Sequence, residues 1–478
     1  MIGIGSDIAI LGSSTIVTGL LGFLPTVRRW WVSLRQRPGL ALLLIVAIGS
    51  TFLGGARESG QPEAYELIDT IRLVRMVVVS VLFLWAVSIV LRKPRSWRLG
   101  GPGMRWMFLY SCITIISTVY SLFPALTLWK AFEVLTVMMC GYATAAEVQT
   151  ADDIRRLLDM VLLILLFLTV TVLMGAVISP ERAFRTLFEG GNPAGDTSAA
   201  PMLFVLRGLA PEINAIPVGG IAASLAVMTA APFFAQEKVK DRFGIFVVLM
   251  IAGTTMVLAH TRTPIFALTA TVTAILVVKR QFAVAFWIAL AAIIILLVGS
   301  TEVITEYIFR GQSHQQFASL TGRTIFWEAV LEKYLDAPFF GYGFYAGHRV
   351  LFNTSGVDNT YVAVLLGVGI VGIIPFVASI FYAIKTLLRT MPRRRMPPMF
   401  QILWLQLFGI FSITFIRSLT GTTFEVFYHL LIFYLLIQIS LACLQRQLQK
   451  IHTPGDQRII SQPRGQRILA TRKKMTVG

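Results

Sequence analysis

Charged residues are scarce in this chain. They make up 14% of its 478 residues, whereas 56% of the residues are hydrophobic and the mean hydropathy is +0.74. A soluble globular domain carries about 25% charged residues, so this chain lacks the polar surface that a water-soluble protein of its size requires. The shortage excludes a soluble enzyme or binding domain and predicts a polytopic membrane protein.

Cysteine is scarce too, and the common catalytic motifs are missing. The three cysteines, Cys112, Cys140 and Cys443, lie singly in apolar runs, which excludes a disulfide framework and a spaced set of metal ligands. No P-loop, HExxH, GxSxG or strand-associated GxGxxG motif occurs, so ATP hydrolysis, zinc proteolysis and dinucleotide redox chemistry have no support. The acidic pair Asp152 and Asp153 precedes an apolar run and indicates a helix start. We expect neither a metal nor a cofactor.

What the sequence does contain is a series of apolar runs, each long enough or nearly long enough to cross a hydrocarbon core of about 30 Å. Thirteen runs fall at residues 4–25, 39–55, 74–91, 106–123, 127–146, 157–178, 212–235, 243–260, 263–278, 282–299, 359–384, 399–418 and 425–443. The first run is only moderately apolar, so it is the doubtful span, and it lacks the basic start and cleavage site of a removable signal peptide. The pattern predicts an all-α polytopic integral membrane protein with about 12–13 transmembrane helices.

The basic residues lie mainly on one side of these runs. The formal net charge of +18 would suggest a nucleic-acid partner in a soluble protein, but most of the 42 Lys and Arg residues fall in alternate connectors and in the final segment. The positive-inside rule therefore puts the N-terminus outside and the C-terminus inside. Residues 444–478 are expected to form a disordered basic tail that binds anionic lipid head groups or, alternatively, a protein partner. We expect membrane lipids, and no nucleic acid, as partners.

One long polar interval, residues 300–358, interrupts the apolar runs and falls on the predicted outer face. It divides the chain into ten spans in 1–299, a large outer loop carrying amphipathic helices in 300–358, three spans in 359–443 and the tail. Because its residues resemble neither a span nor a short connector, we expect this loop to be structured and functional.

An amphipathic helix is predicted inside that loop. Thr321 can cap its start, and Pro338, Gly341 and Gly343 end it in a turn. Its predicted apolar face consists of Ile325, Phe326, Ala329, Val330 and Tyr334.

Four arginines fall on the predicted outer face: Arg207, Arg262, Arg323 and Arg349. A guanidinium offers a planar fork of donors that suits a phosphate or diphosphate, so the group predicts an anionic ligand. The alternative for a loop arginine is a solvated charge. Arg262 could instead reach the membrane interface or pair with a carboxylate such as Glu133, and Glu133 could equally be satisfied by Lys130 one helical turn away.

The segment GRTIFWEAVLEKYLDAPFFGYGF, Gly322–Phe344, followed by DNTYVAVLLGVGIVGIIPF, Asp358–Phe376, resembles the signature region of the O-antigen ligase and Wzy-type polysaccharide polymerase superfamily. The segments around Arg262 and Asn214 also resemble superfamily segments. One position departs from the pattern, because ligases carry a histidine where this chain has Asp358.

The resemblance implies a GT-C-like membrane glycosyltransferase of the bacterial inner membrane, with its active site facing the periplasm or cell exterior. The donor would be an undecaprenyl-diphosphate-linked glycan and the acceptor another glycan, and the reaction would be inverting and metal-independent. Arg262 and Arg323 would bind the diphosphate and stabilise the leaving group, with Arg349 and Arg207 as further candidates.

Catalytic and glycan-binding roles follow from the same resemblance. Asp358 or, alternatively, His348 would serve as general base, or the reaction would depend on positioning and charge alone. A purely structural alternative makes Asp358 the cap of the next span. Residues expected to contact the glycan are Trp327, Asn214, Asn359 and Tyr342.

Among activities, polymerisation of exopolysaccharide or O-antigen repeat units is preferred, and other polysaccharide assembly proteins are possible partners. Ligation to lipid A core or another acceptor and protein glycosylation are alternatives within the superfamily. A lipid-linked oligosaccharide flippase is the alternative from another class, although such carriers tend to have repeated halves and short loops. A purely structural subunit does not account for the grouped arginines.

Overall fold

The computed structural model describes residues 2–35, 70–186, 204–235, 241–284, 286, 290, 323–352, 354, 356–392, 396–421, 423 and 429–452. Most of these residues are helical. Seven helices among them are long and apolar enough to cross a membrane, or eight if one bent pair is a single span. The prediction of an all-α polytopic membrane protein is confirmed.

The helices of the first half are α1 Ile2–Leu21, α2 Pro25–Arg35, α3 Thr70–Arg92, α4 Ser96–Leu99, α5 Gly101–Ile116, α6 Pro124–Ala145, α7 Ala151–Ile178, α8 Pro180–Ala183 and α9 Ala215–Phe234. Those of the second half are α10 Arg242–Ala259, α11 Arg262–Val278, α12 Arg323–Tyr334, α13 Gly347–Phe352, α14 Thr360–Arg389, α15 Pro398–Ser418 and α16 His429–His452. Two short antiparallel strand pairs lie between α8 and α9: β1 Phe184–Thr186 with β2 Phe204–Leu206, and β3 Gly208–Leu209 with β4 Glu212–Ile213.

The predicted apolar runs coincide with these helices wherever the chain is described. The runs 39–55 and most of 282–299 lie outside the described residues. The first run is not a straight span, because the chain bends by 107° between α1 and α2, where Pro25 starts a new helix. At the other end, α16 continues to His452, so the first residues of the predicted tail are helical.

Burial identifies the centre of the bundle. In α7 and α16, 67% and 83% of the most apolar window is buried, whereas in α3 and α10 only 22% and 33% is buried. Helices that are apolar all round yet expose their side chains are suited to contact lipid, since their backbone groups are bonded internally. The poorly buried α3 and α10 therefore form part of the lipid-facing surface.

The start of α7 agrees with its sequence signal. Thr150 accepts a hydrogen bond from Asp153 N through its side chain, and the Asp153 carboxylate accepts one in return from Thr150 N. This reciprocal capping box satisfies two backbone donors that a helix start leaves unpaired. The prediction that Asp152 and Asp153 mark a helix start is confirmed.

A buried ion-pair cluster ties α3 to α6. The Glu133 carboxylate is fully buried and receives a fork from Arg75, with Nε–Oε1 at 2.6 Å and Nη2–Oε2 at 2.9 Å, while Lys130 Nζ lies farther away at 3.7 Å. A buried carboxylate is tolerated only when it is paired in this way. The alternative that Glu133 pairs with Arg262 is therefore wrong.

The α14 helix is interrupted at its tenth residue, Gly369. Gly369 has φ +60 and ψ −162, outside the helical region. The turn at residues 338–343 lies against this break, and the two segments exchange four backbone hydrogen bonds. The bonds are Tyr342 N to Leu366 O (2.9 Å), Gly343 N to Gly367 O (2.9 Å), Ile370 N to Pro338 O (2.9 Å) and Val371 N to Phe339 O (3.2 Å). The turn thus supplies partners to backbone groups that the break leaves unpaired within α14.

Glycine is required where this turn meets the bundle. A Cβ on Gly369 would overlap the Phe339 carbonyl and lie 2.6 Å from Phe340 N, and a Cβ on Gly343, at φ +97, would lie 2.7 Å from Cα of Ser121. Both residues combine a left-handed backbone with close contact, so no larger side chain fits. These contacts fix the turn at residues 338–343 to the membrane bundle.

The predicted loop helix is present as α12, while its cap Thr321 lies outside the described residues. Val330 is fully buried, and Phe326 and Tyr334 pack against it together with Trp327. Two members of the predicted apolar face are placed differently, since Ile325 is 67% exposed and Ala329 is also exposed. The buried stripe is narrower than predicted because α12 packs on one side only, against Val362 and Leu366 of α14 and Phe352 of α13.

Candidate functional site

An ion pair joins the loop helix to the start of α14. Arg323, the first residue of α12, places Nε 3.1 Å from Oδ2 of Asp358. The side chains are 23% and 54% exposed, so a ligand can reach both groups. An exposed ion pair of this kind stabilises a fold by only about 0–1 kcal/mol, so its location matters more than its strength.

The backbone next to Asp358 is held by a hydrogen bond from Trp327 to Val357. The indole Nε1 of Trp327 donates to the carbonyl oxygen of Val357 at 2.8 Å, and Val357 is fully buried. Asp358 itself has φ +52, a left-handed conformation that aspartate tolerates better than most residues. Trp327, predicted to contact glycan, thus positions the backbone beside the ion pair.

Asn359, not Asp358, caps α14. Its Oδ1 accepts hydrogen bonds from Tyr361 N at 3.0 Å and Val362 N at 3.2 Å. The structural alternative for Asp358 is therefore wrong, and its carboxylate faces Arg323 instead. The predicted contact of Asn359 with glycan is an additional role that these bonds do not test.

The turn after α15 reaches the same place. Arg323 Nη1 donates to the carbonyl oxygen of Thr420 at 3.3 Å, and Asn359 Nδ2 donates to that of Leu419 at 3.1 Å. Thr360 Oγ1 donates to the carbonyl oxygen of Gly421 at 2.9 Å. The starts of α12 and α14 therefore meet the end of α15 in one cluster.

The start of α11 joins this cluster. Thr420 Oγ1 lies 3.5 Å from Thr263 Oγ1, and Thr263 follows Arg262, the first residue of α11. Arg262 is half-buried. Thr420 thus contacts Arg323 directly and the α11 turn that carries Arg262. The two arginines predicted to bind a diphosphate lie at the same end of the bundle.

A third arginine, which the sequence reasoning missed, lies at this end. Arg417 is in the last turn of α15, three residues before Thr420, and is only 4% exposed. It contacts α9 at Gly220, and the neighbouring Gly219 contacts Thr261 at the start of α11. A charged residue at the end of the apolar run 399–418 was the signal that could have found it.

Two other predicted site residues belong to a separate group. His348 and Arg349, 6% and 7% exposed, lie on α13 around Tyr345. Arg349 Nη2 donates to the Tyr345 hydroxyl at 2.7 Å, and its Cζ lies 4.5 Å from the ring centroid, while Lys130 Nζ lies 4.9 Å from the same centroid. The contacts described for these residues connect them through Tyr345 to Lys130 of the α6 ion-pair cluster.

Arg207 and Asn214 lie on the segment that leads into α9. Arg207 Nε donates to the carbonyl oxygen of Arg182 at 3.0 Å, and its Nη1 lies 3.7 Å from Glu212 Oε1. These contacts fasten the strand pairs before α9. Asn214 is exposed at the N-cap position of α9, close in sequence to the glycines that contact Thr261 and Arg417.

Tyr342 has a structural contact as well. Its hydroxyl donates to the carbonyl oxygen of Lys333 at 3.0 Å, and its own carbonyl accepts from Leu122 N at 3.1 Å. It therefore joins α12 to the turn that meets the α14 break. For metals, no group of three or more His, Cys, Asp or Glu side chains within the described ranges could hold an ion.

Comparison with known families agrees with the sequence resemblance. Residues 245–377 match the model of the O-antigen ligase family, Wzy_C. The matched segment includes Arg262, Arg323 and Asp358, together with the broken helix α14. No curated protein sequence matches the chain. Over this segment the chain is similar to the O-antigen ligase family, which supports the resemblance to the O-antigen ligase and Wzy-type superfamily that its motifs showed.

Proposed function

We propose that this protein is a membrane glycosyltransferase that polymerises undecaprenyl-diphosphate-linked oligosaccharide repeat units on the outer face of a bacterial inner membrane. The observation that carries the proposal is the meeting of Arg323, Asp358 and the Arg262-bearing start of α11 around Thr420. This arrangement puts cations and one accessible carboxylate at a single end of the bundle.

The cations suit the donor's diphosphate. A guanidinium has five N–H donors, and the Arg323 contacts with Asp358 and Thr420 involve Nε and one N–H of Nη1. As the bond between the anomeric carbon and the phosphate oxygen breaks, negative charge builds on the departing diphosphate. Fixed guanidinium groups stabilise that charge more than they stabilise the bound donor, which lowers the barrier.

The carboxylate of Asp358 suits the acceptor. The acceptor hydroxyl oxygen forms the new bond to the anomeric carbon, the bond to the diphosphate oxygen breaks, and the diphosphate leaves with the electron pair. The hydroxyl proton passes to Asp358. The contact with Arg323 holds the Asp358 carboxylate in place as the proton acceptor, and attack from the face opposite the diphosphate inverts the anomeric centre.

Ligation is the second candidate, supported by the family model's description as O-antigen ligase. In that reaction a lipid-linked glycan passes to lipid A core or another acceptor. The guanidinium groups again stabilise the leaving diphosphate, and the Asp358 carboxylate again accepts the proton. Polymerisation and ligation differ in the acceptor. The reaction products therefore distinguish the two activities, whereas the geometry of the cluster around Thr420 does not.

Purified protein in liposomes, supplied with one lipid-linked repeat unit, tests the proposal. A ladder of longer lipid-linked glycans supports polymerisation, and a single transfer that needs an added acceptor supports ligation. Transbilayer movement of the lipid without bond formation indicates a flippase and overturns both.

Matched variants of α12 sharpen this experiment. We expect Arg323→Ala to reduce transfer at least about 100-fold and Arg323→Lys to remain poor, because a point charge does not replace a planar fork. Lys333→Ala, on the same helix but paired with Asp336 at 2.8 Å, is the control and should retain activity. Normal transfer by Arg323→Ala would contradict the assigned role.

A further inference from the structure

Arg417 is a buried cation that the resemblance and the family match do not include. It lies at the end of α15, outside residues 245–377, with 4% of its surface exposed. Removing a guanidinium from water costs several kcal/mol unless other groups offset the loss. A buried charge at the end of a membrane helix is therefore expected to have a function.

A pair of glycines in α9 makes room for this side chain. A Cβ on Gly220 would overlap Nη1 of Arg417 and lie 2.9 Å from its Cδ and Cζ. The Arg417 side chain therefore lies directly against the α9 backbone. On the adjacent Gly219, a Cβ would overlap Thr261 Oγ1 and lie 2.9 Å from Pro264. Consecutive residues of one helix thus admit Arg417 on one side and the start of α11 on the other.

Arg417 is also connected to the exposed cluster through its own helix end. Thr420 N donates to the carbonyl oxygen of Arg417 at 3.1 Å, and the Thr420 carbonyl accepts from Arg323. The backbone of Arg417 is thus bonded to the turn that Arg323 contacts, while its guanidinium lies against Gly220 of α9. In a low-dielectric interior its charge is felt more strongly than an exposed charge at the same distance.

We propose that Arg417 is a third cation of the diphosphate site, a positioning residue that acts from the buried side of the cluster. It attracts the donor's diphosphate through the protein interior, and it fixes the end of α15 so that Thr420 presents its carbonyl to Arg323. Gly220 is required because a side chain there would displace the guanidinium. This inference rests on the function proposed above.

Binding of undecaprenyl diphosphate to the full-length protein in nanodiscs tests the inference, with undecaprenol as the uncharged comparison ligand. We expect Arg417→Met to weaken diphosphate affinity about tenfold while undecaprenol binding stays the same, and Arg417→Lys to recover most of the loss. The loss should persist at about 1 M salt, because buried charges are poorly screened. A role in folding alone would change neither the ligand preference nor its salt dependence.

The control is Lys279→Met. Lys279 is likewise a cation at a helix end, but it lies at the far end of α11, where Nζ donates to Gln401 Oε1 at 2.6 Å. Thermal unfolding of each variant reports whether it folds. If Arg417→Met does not fold, Gly220→Ala tests the inference instead. This variant keeps the Arg417 charge but displaces the guanidinium, and we expect it also to weaken diphosphate binding.

The outcomes separate the two proposals. A folded Arg417→Met or Gly220→Ala variant that binds undecaprenyl diphosphate as tightly as the unmodified protein overturns the role of Arg417 and leaves the proposed function standing. An unmodified protein that neither binds undecaprenyl diphosphate nor transfers glycan overturns the proposed function itself.

Discussion

At the scale of single residues, the candidate site contains a carboxylate, Asp358, at the position where the resemblance to O-antigen ligases implies a histidine. Asp358 is accessible, contacts Arg323 at 3.1 Å and does not cap its helix. A carboxylate and an imidazole can both accept a proton from a hydroxyl, so the exchange can preserve the chemistry. Its contact with Arg323 also means that a substitution of Asp358 changes both the proposed base and the position of the Arg323 guanidinium.

Comparison of Asp358→Asn with Asp358→His distinguishes these effects. We expect Asp358→Asn to lower the transfer rate about 100-fold or more, because an amide keeps the shape and a hydrogen bond to Arg323 but cannot take the proton. Asp358→His should recover part of the rate. The measurement is glycan transfer in liposomes at saturating donor, and equal rates for Asp358→Asn and unmodified protein would rule out a base at this position.

His348 supplies the comparison for the alternative base. It lies in the separate group around Tyr345, with ring centroids 5.3 Å apart. We therefore expect His348→Gln to keep more activity than Asp358→Asn in the same liposome measurement.

At the scale of elements, the broken helix α14 and the glycine turn form one structural unit. The four backbone hydrogen bonds between residues 338–343 and 366–371 connect the loop that carries Arg323 with the helix that follows Asp358. Backbone pairing of this kind is possible at membrane depth only where protein surrounds it. The relative position of α12 and α14 therefore depends on glycines far from the ion pair.

Gly369→Ala should destabilise the protein. Alanine at φ +60 is strained and would overlap the Phe339 carbonyl, which together cost about 2 kcal/mol or more. The measurement is the thermal unfolding midpoint in detergent. Gly253→Ala, in α10 with nothing within 4 Å of the added Cβ, is the control and should be neutral or slightly stabilising. Equal midpoints for the two variants would show that the break tolerates a side chain.

A contact between α2 and α10, made by Asp241, is expected to make the stability of the protein depend on pH. Asp241, the N-cap of α10, accepts hydrogen bonds from Thr26 N at 2.8 Å and Gly244 N at 2.8 Å, which fastens α2 to α10. Burial alone would raise the pKa of Asp241, but these hydrogen bonds, the Thr26 hydroxyl and the nearby Arg29 charge lower it below its usual range. The ionised form is thus favoured in the folded state.

A lowered folded-state pKa gives stability that is present above the unfolded value of about 3.9 and lost as pH falls through the folded value. We expect unfolding midpoints of the unmodified protein to decrease as pH falls below about 4. Asp241→Asn should be less stable than the unmodified protein at pH 7 and should lose this part of the pH dependence. A constant difference between the two proteins from pH 7 to pH 3 would contradict the assignment.

At the scale of the whole molecule, charge placement sets the proposed orientation. The cluster around Thr420 lies at one end of the bundle, while Lys279 and Gln401 meet where α11 ends and α15 starts, at the other. Arg446 Nη1 donates to the carbonyl oxygen of Leu99 near the end of α16. The positive-inside rule predicts that this basic end faces the cytoplasm.

Cysteine labelling in intact cells tests that orientation. In a background with Cys112→Ser, we expect Lys333→Cys on α12 to react with a membrane-impermeant maleimide, and Lys450→Cys on α16 to react only after the membrane is opened. Cys140 and Cys443 are fully buried and should contribute little background. If Lys450→Cys reacts in intact cells and Lys333→Cys does not, the proposed orientation is wrong.

Much of the fold was predictable because its signals are local. About twenty consecutive apolar residues are enough to predict a span, the start of α7 follows from its capping residues, and the presence of α12 follows from its helical periodicity. The family resemblance also came from short segments, and the match over residues 245–377 confirmed it. The exposed Ile325 shows the limit of prediction from helical periodicity. An apolar face shows which residues of a helix could be buried, but not how far a neighbouring element covers them.

The sequence by itself determined that this is a polytopic membrane protein, where its helices lie and which arginines are candidates for an anionic ligand. Only the tertiary structure decided that Arg323 pairs with Asp358, that Asn359 is the cap, that Arg349 contacts Tyr345 and that Arg417 lies against Gly220. The physical reason is distance along the chain: Thr263, Arg323 and Thr420 are brought together by helix packing, which no local pattern of residues records.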